Sequence, residues 1–211
     1  MIQENIQNIL KTLPENVKLI AVSKTYPRSC IDEALQAGQL DFGENKVQEL
    51  MEKYRENENI RWHMIGHLQT NKVKYLIGKV ATIQSVDSLH LLEVIQKESQ
   101  KKGVVTHVLL EVNLSHEETK FGMDENQLDD IMHHTFSHVS IDGMMVIGPH
   151  CEDEKRIREV FQKAFELKKK YSFKELSMGM SQDYQLAIPY GTTMVRIGTS
   201  IFGARDYSKS E

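Results

Sequence analysis

Short apolar segments alternate with amphipathic helical patterns from one end of the chain to the other. Eight of the apolar segments have the length of strands, at residues 18–24, 40–43, 61–66, 80–86, 106–113, 140–148, 175–180 and 194–198. Several of them are nearly continuous apolar runs, which is typical of a parallel sheet whose two faces are both covered. The pattern therefore predicts an α/β protein built on a parallel sheet.

The segments between the predicted strands carry apolar residues at helical spacing. In the second of them, Val47, Leu50 and Met51 are followed by Tyr54 at positions i, i+3, i+4 and i+7. A further amphipathic segment, residues 2–13, precedes the first strand. Strict alternation allows an open doubly wound sheet or a closed (β/α)8 barrel. The strand count favours a (β/α)8 TIM barrel with an extra N-terminal helix, although 211 residues is short for that fold.

Composition and charge narrow the class of protein. With 40% hydrophobic and 27% charged residues, the chain has an ordinary globular composition, and we expect a single domain over residues 1–211. A net charge of -4 disfavours a general nucleic-acid binder. Two cysteines cannot form a disulfide framework, and neither a signal peptide nor a membrane span is predicted. We therefore expect a cytoplasmic protein that binds neither nucleic acid nor membranes.

A lysine follows directly on the first apolar strand, where Val22 leads into Ser23-Lys24-Thr25. A buried ammonium group is costly without a partner. Desolvation would make such an amine nucleophilic enough to form an imine with an aldehyde. Taken alone, the strand favours a lysine whose stem is buried and whose charged end reaches water.

Small and polar residues collect after the last two predicted strands. Ser181 follows the seventh strand, and the eighth leads into Gly198-Thr199-Ser200. Amides at the start of a short helix, together with the hydroxyls of Ser181 and Thr199, suit a phosphate dianion, and barrels often bind phosphate at this point. Ordinary turn chemistry also explains a lone Gly-Thr-Ser. The combination of this phosphate-binding pattern with a strand-end lysine is a more specific signal than either feature alone.

Two other segments carry polar residues at predicted strand ends. Residues 43–45 (Gly-Glu-Asn) follow the second strand and place Asn45 at the same rim as Lys24, although these polar residues also suit the start of the next helix. His67 follows the third strand and is expected to face the opening. His63 and His67 straddle a strand end, so they do not have the helical spacing of a metalloprotease site. We expect no metal site.

In order along the chain, several longer motifs resemble signatures of the pyridoxal phosphate homeostasis protein family. They are Ala21-Val22-Ser23-Lys24-Thr25, Gly43-Glu44-Asn45-Lys46-Val47-Gln48-Glu49, residues 62–72, Val112-Asn113-Leu114-Ser115 with Glu118, Lys120 and Gly122, Gly143-Met144-Met145, and residues 176–203. The similarity extends from about residue 18 to residue 203. The N-terminal helix is short for the family, and the residue type at position 67 varies, so His67 receives no specific role.

The resemblance implies a barrel like the N-terminal domain of alanine racemase, with pyridoxal 5′-phosphate as its cofactor. By residue matching, Lys24 would hold the cofactor as a Schiff base. Arg196 would face the pyridine nitrogen, and Asn45 would lie beside the ring. Three residues would bind the phosphate: Ser181, Gly198 and Thr199.

The activity that the resemblance implies is storage of the cofactor in vitamin B6 homeostasis, with little or no catalysis and no catalytic residue. A charged Arg196 donating to the ring nitrogen would oppose protonation of that nitrogen and weaken the ring as an electron sink. Alanine racemase-like enzymes add a second domain that supplies a further acid/base group, and we expect this chain, which ends soon after Gly203, to lack one.

Two alternative functions stay open at this point. One is a pyridoxal phosphate-dependent amino-acid racemase, which needs a second proton-transfer residue at the substrate. The other is a Schiff-base aldolase acting on a phosphorylated sugar. We expect a monomer whose partners are the cofactor and, by implication, pyridoxal phosphate-dependent apoenzymes. Whether Lys120 forms a second aldehyde site cannot be deduced from spacing.

Overall fold

The structure is a computed structural model, and it describes residues 1–115, 117, 121–149, 151 and 153–204. Within these residues eight strands close into a barrel, and each strand is parallel to both of its neighbours. The strands are β1 (Lys18–Val22), β2 (Asp41–Glu44), β3 (Arg61–Met64), β4 (Thr82–Val86), β5 (Thr106–Val112), β6 (Val139–Val146), β7 (Glu175–Met180) and β8 (Met194–Ile197). The predicted closed barrel is confirmed, and the open sheet is excluded because β1 pairs with β8.

Helices surround the barrel, and one precedes it as predicted. In the described part of the chain they are α1 (Ile2–Leu10), α2 (Arg28–Gln36), α3 (Val47–Lys53), α4 (Val73–Leu76), α5 (Leu89–Lys102), α6 (Asn126–Met132), α7 (Glu154–Lys170), α8 (Tyr184–Ala187) and α9 (Thr199–Phe202). Their apolar stripes pack on the outside of the strands; α7, for example, buries Ile157, Val160, Phe161 and Ala164. None of the helices in these ranges is long and apolar enough to span a membrane.

The predicted strands extend too far at several carboxyl ends. Strand β1 ends at Val22 rather than at Lys24, and β3 ends at Met64 rather than at Gly66. At the end of β1 the cause is a side-chain contact, because the Ser23 hydroxyl donates to a carboxylate and the next residues form a turn. Lys24 and His67, which the predicted strands reached or adjoined, therefore lie in loops at the rim, where a barrel places its functional groups.

The inside of the barrel contains both apolar and polar side chains. Four buried side chains form a compact apolar cluster: Ile20, Leu109, Met145 and Met194. Polar side chains from six strands are buried with them: Asp41, His63, Gln84, Glu111, Ser177 and Arg196. Because a closed barrel gives these groups no sheet edge through which to reach water, their hydrogen bonds must be made inside the molecule.

Glu111 on β5 is the carboxyl group with the weakest compensation. It is 3% exposed, and its Oε2 has no hydrogen-bond partner among the described residues. Burial raises the pKa of Glu111 to about 7; the nearby Asp87 raises it further, and Arg196 opposes the rise. The folded protein therefore keeps this proton in a pH range where the unfolded chain has already lost it.

We expect the free energy of unfolding to decrease as the pH rises from about 5 to about 7. In this range the folded state binds more protons than the unfolded state, and stability then falls with increasing pH. For Glu111, whose pKa rises from an ordinary value of 4.5 to about 7, this contribution to the loss is at most roughly 3 kcal/mol. Urea unfolding at pH 5, 6 and 7 measures it. Glu111→Gln should reduce the dependence of the unfolding free energy on pH. Glu4→Gln, at an exposed position of α1, is the control and should not change it. Equal slopes in the wild-type protein and both variants would contradict the assignment of this dependence to Glu111.

Candidate functional site

The carboxyl ends of β1, β2, β7 and β8 meet at one rim of the barrel, and the predicted site residues lie there. Strand pairing places Ala21 beside Ile197 and Val22 beside Gly43. The six residues selected from the sequence lie on these strands or directly after their carboxyl ends: Lys24, Asn45, Ser181, Arg196, Gly198 and Thr199. Of these, only Arg196 belongs to a strand, and its side chain is buried inside the barrel.

Ser181, Gly198 and Thr199 form a cluster of small hydrogen-bonding groups. The Gly198 N–H donates to Oγ of Ser181 at 3.4 Å, a long and weak bond. Helix α9 begins at Thr199, and no described side chain caps it. A Cβ atom at Gly198 would lie 3.2 Å from the carbonyl oxygen of Val22, so a larger residue would press on the end of β1. The cluster thus offers amide and hydroxyl groups to an anion, next to the strand that precedes Lys24.

The turn that carries Lys24 is held on both sides of that residue. The Ser23 hydroxyl donates to Oε1 of Glu44 at 2.7 Å, and the Thr25 N–H donates to Oε1 of Glu49. Thr25 has a φ of 71°, in the left-handed region that a threonine rarely adopts. Lys24 is half-buried between these two residues. Its backbone position is therefore fixed by contacts that its own side chain does not make.

A buried lysine, Lys53 at the end of α3, joins these contacts into one cluster. Its Nζ donates to the Ser23 carbonyl oxygen at 2.8 Å and to Oε1 of both Glu44 and Glu49 at 2.7 Å. Burial raises the pKa of Glu44 to about 7, against the opposing effect of Lys53. Sequence analysis left open whether Glu44 only begins a helix; it instead closes β2, and its side chain binds the Lys24 turn.

Asn45 and His67 lie at the neighbouring part of the rim. A Cβ atom at Gly66 would lie 2.3 Å from the carbonyl oxygen of Asn45, so the two loops approach as closely as a glycine allows. Asn45 and His67 both border a small cavity of about 170 Å³. As predicted, His67 is at the opening: its ring stacks on Phe121 at 4.5 Å, and its Nδ1 lies 3.3 Å from Oδ2 of Asp87.

The Arg196 guanidinium lies inside the barrel below this rim. Its Nη1 donates to Oγ of Ser177 at 2.7 Å, and its Nη2 donates to the carbonyl oxygen of Val146 at 2.9 Å. Burial lowers the pKa of Arg196 to about 10, and the carboxyl groups of Asp183 and Glu111 oppose that change. The group therefore remains a cation at neutral pH, with a fixed orientation.

Three of these contributions were not predicted from the sequence, namely those of Lys53, Glu111 and Ser177. For Lys53 and Glu111 the sequence does contain a signal, namely a charged residue at a position where the pattern expects an apolar one. Lys53 follows Leu50 on the buried side of α3, and Glu111 interrupts an apolar strand. Glu118 and Lys120 of the predicted motif lie outside the described residues. Within the described ranges, no group of three or more His, Cys, Asp or Glu side chains could hold a metal ion.

Comparison with known proteins gives close matches over nearly the full length. A family model described as alanine racemase, N-terminal domain, matches residues 1–206. The pyridoxal phosphate homeostasis protein of Aquifex aeolicus is 43% identical over 200 residues, which cover 90% of this chain and 88% of that protein. The protein of the same name from Haemophilus influenzae is 37% identical over 227 residues, covering 100% and 96%.

Solved structures give the same picture. The structure of PipY from Synechococcus elongatus without PLP matches with a TM-score of 0.87 and 35% identity, covering 96% of this chain and 100% of PipY. The PipY structure with PLP bound has a TM-score of 0.86 and 34% identity. An alanine racemase of Clostridium difficile has a TM-score of 0.80 at 15% identity and is covered over 56% of its length, so it is a likeness of fold alone.

The family expected from the motifs is confirmed by these matches. The family model spans almost the whole chain, and the two curated relatives are well above 30% identical to it. This chain belongs to the family of the pyridoxal phosphate homeostasis proteins, whose barrel is that of the alanine racemase N-terminal domain.

Proposed function

We propose that this protein binds pyridoxal 5′-phosphate as a Schiff base on Lys24 and holds it in reserve for vitamin B6 homeostasis, with little or no catalysis. The observation that carries the proposal is the placement of a lysine in a fixed turn beside the uncapped start of α9. The names of the relatives and the PipY structure with PLP bound support the same ligand.

The groups at the rim fit the two ends of this ligand. A phosphate dianion needs several donors, and Ser181, Gly198 and Thr199 offer hydroxyl and amide groups at one place. The hydrogen bond from the Gly198 N–H to Oγ of Ser181 is weak, because its length is 3.4 Å. Both groups can therefore bind an anion instead at little cost. Lys24 then provides an amine for the aldehyde, and Arg196 provides a guanidinium for the ring nitrogen.

The proposed step on Lys24 needs only an amine and an aldehyde. The neutral Nζ of Lys24 attacks the aldehyde carbon, and loss of one water molecule leaves a carbon–nitrogen double bond. When bound, pyridoxal phosphate supplies this aldehyde together with a ring that serves as an electron sink. Hydrolysis or exchange with another amine reverses the step, so a half-buried Lys24 suits reversible loading.

Arg196 supports holding rather than catalysis. Its guanidinium remains positively charged, and a cation that donates to the ring nitrogen opposes protonation of that nitrogen. Without that proton the ring withdraws electrons less strongly, which disfavours the carbanion chemistry of pyridoxal phosphate enzymes. The proposal also includes a single domain over residues 1–211 and a monomeric protein in the cytoplasm. It further includes transfer of the cofactor to apoenzymes.

An amino-acid racemase is the second candidate, and Glu111 is the observation in its favour. Burial raises the pKa of Glu111 to about 7, and its carboxyl group interacts with Arg196 inside the barrel. A carboxyl group that titrates near neutral pH has the property of a general acid or base. Turnover of an L- or D-amino acid by purified protein, lost in Glu111→Gln, would favour this candidate.

We expect Lys24→Ala to abolish the visible absorbance of the Schiff base while part of the affinity for pyridoxal phosphate remains through the phosphate. Absorption spectra before and after borohydride reduction, followed by mass mapping of the labelled peptide, measure this. Lys46→Ala removes an exposed lysine at the same rim and serves as the control; it should keep the label on Lys24. A label that persists on another lysine in Lys24→Ala would refute the assignment.

Ser181→Ala should weaken binding of pyridoxal phosphate by about 1–3 kcal/mol, the cost of leaving a phosphate oxygen without its partner. Pyridoxal, which has the aldehyde and ring without the phosphate, is the matched ligand control, and its affinity should not change. Fluorescence titrations of both ligands give the two values. If both affinities fall by the same factor, the phosphate is bound elsewhere.

Lys53→Met should destabilise the fold by roughly 3 kcal/mol, because it leaves two carboxylates together in a site that excludes water. The Lys24 turn should loosen at the same time, so that borohydride trapping of the cofactor on Lys24 slows. The double variant Lys53→Met/Glu44→Gln should recover part of both losses, since it removes one of the unpaired charges. Urea unfolding and the trapping rate are the measurements, and a cost below about 1 kcal/mol in the single variant would contradict the cluster.

A further inference from the structure

A continuous chain of hydrogen bonds crosses the inside of the barrel and ends on Arg196. Its members are buried side chains from five strands: Arg196 on β8, Ser177 on β7, Gln84 on β4, His63 on β3 and Asp41 on β2. The successive distances are 2.7, 2.6, 3.1 and 3.0 Å. The bond from Ser177 to Gln84 joins strands on nearly opposite sides of the closed ring. The chain therefore spans the interior instead of following the wall.

The two ends of the chain fix the direction of every bond. A guanidinium group can only donate, so the Ser177 hydroxyl accepts from Arg196 and donates onward to Oε1 of Gln84. The Gln84 amide nitrogen then donates to Nδ1 of His63, whose Nε2–H is left for the carboxylate of Asp41. Burial lowers the pKa of His63, against the opposing effect of Asp41, which suits the neutral ring that this order requires.

The far end of the chain is anchored by an ion pair. Arg61 donates through Nε to Oδ1 of Asp41 at 2.9 Å and through Nη2 to Oδ2. Burial raises the pKa of Asp41, but the hydrogen bonds from Arg61 and His63 outweigh this effect and bring it to about 2. The last acceptor is thus an anion at neutral pH, and it polarises the preceding donors toward itself.

Carboxyl groups near Arg196 compete with this chain for the guanidinium. Glu111 and Asp183 both interact with it electrostatically, and Oε2 of Glu111 has no hydrogen-bond partner among the residues that the structure describes. A guanidinium released from Ser177 would turn toward Glu111, because a nearby cation favours ionisation of this carboxyl group and an arginine–carboxylate pair is the stronger contact. The bonds to Ser177 and to the Val146 carbonyl oxygen hold it in a different direction.

We propose that Ser177, Gln84 and His63 are positioning residues that keep the Arg196 guanidinium away from Glu111 and aimed at the ring nitrogen of the bound cofactor. Two of the five N–H donors are directed to Ser177 and Val146, and the other donors have no hydrogen bond to the described part of the chain. The inference rests on the proposed function, since it takes a pyridine ring to be the ligand beside Arg196. It assigns recognition of one ligand atom to a chain that begins on β2, crosses the interior between Gln84 and Ser177, and ends on β8.

The test compares pyridoxal 5′-phosphate with its analogue in which C–H replaces the ring nitrogen. Both ligands carry the aldehyde and the phosphate, so both make the contacts of Lys24 and Ser181. The first alone can accept a hydrogen bond from Arg196. Wild-type protein should bind it about tenfold more tightly, the effect of one hydrogen bond to a charged group. Fluorescence titration gives the two dissociation constants, and borohydride labelling of Lys24 is measured with each ligand.

Ser177→Ala and Gln84→Met each break the chain and should bring the two dissociation constants to within about threefold of each other. Ser177→Ala/Glu111→Gln should regain much of the difference, because the competing carboxylate is gone. Gln84→Glu should retain the difference between the two ligands. Its carboxylate still accepts a hydrogen bond from Ser177, and His63 can bind a second proton and donate to this carboxylate. Leu109→Ala is the control, a buried interior change outside the chain; it should lower stability and keep the tenfold difference.

Equal weakening of both ligands in Ser177→Ala and Gln84→Met, with the difference between them preserved, would indicate a purely structural role and overturn the inference. Equal binding of the two ligands by the wild-type protein, with Lys24 labelled, would also overturn it while leaving the proposed function intact. Absence of any label on Lys24 counts against the proposed function instead. If Ser177→Ala does not fold, Gln84→Met against Gln84→Glu makes the same comparison at a position where volume is conserved.

Discussion

Because a closed barrel has no sheet edge, a charged side chain inside it reaches water only at the two rims, and between them every polar group must find a partner within the protein. This constraint determines the arrangement inside the present structure. The cation of Arg196 and the anion of Asp41 are separated by three neutral side chains that carry hydrogen bonds in one direction. Glu111, which is outside that chain, keeps its proton toward neutral pH because of its burial.

A second group of charges lies on the other side of the barrel wall, between the strands and α3. There the Lys53 ammonium binds Glu44, Glu49 and the carbonyl oxygen of Ser23. The interior chain and this exterior cluster end at neighbouring points of one rim, the first at Arg196 and the second at the turn of Lys24. The groups proposed to bind the ring and the aldehyde are thus held by two separate networks, and disturbing one of them need not move the other.

The sequence was a good guide to the fold and to the residues of the rim, and a poor guide to what holds them. Apolar runs and helical stripes depend on local periodicity, so eight strands and the barrel could be predicted. Lys24 and Gly198 were recognisable because a lysine or a glycine at the end of a buried strand is unusual. The contacts of Lys53 with Ser23 and of Gln84 with Ser177 could not be deduced, because these partners lie 30 and 93 positions away along the chain. Strand ends were also uncertain, since contacts such as that of Ser23 with Glu44 decide them.

Under the proposed function, the same geometry would allow the protein to hold a reactive cofactor without using it in catalysis. Imine exchange at an aldehyde needs a reachable amine and water, and the half-buried Lys24 meets that need. Carbanion chemistry is favoured by a protonated ring nitrogen, whose protonation a permanent cation beside it would oppose. In the proposed function, the fixed charge of Arg196 would disfavour the second process and leave the first unaffected, because it would act on the ring nitrogen and not on the aldehyde carbon. If the buried chain orients this guanidinium as proposed, the preference for holding the cofactor is a property of the barrel interior rather than of the rim.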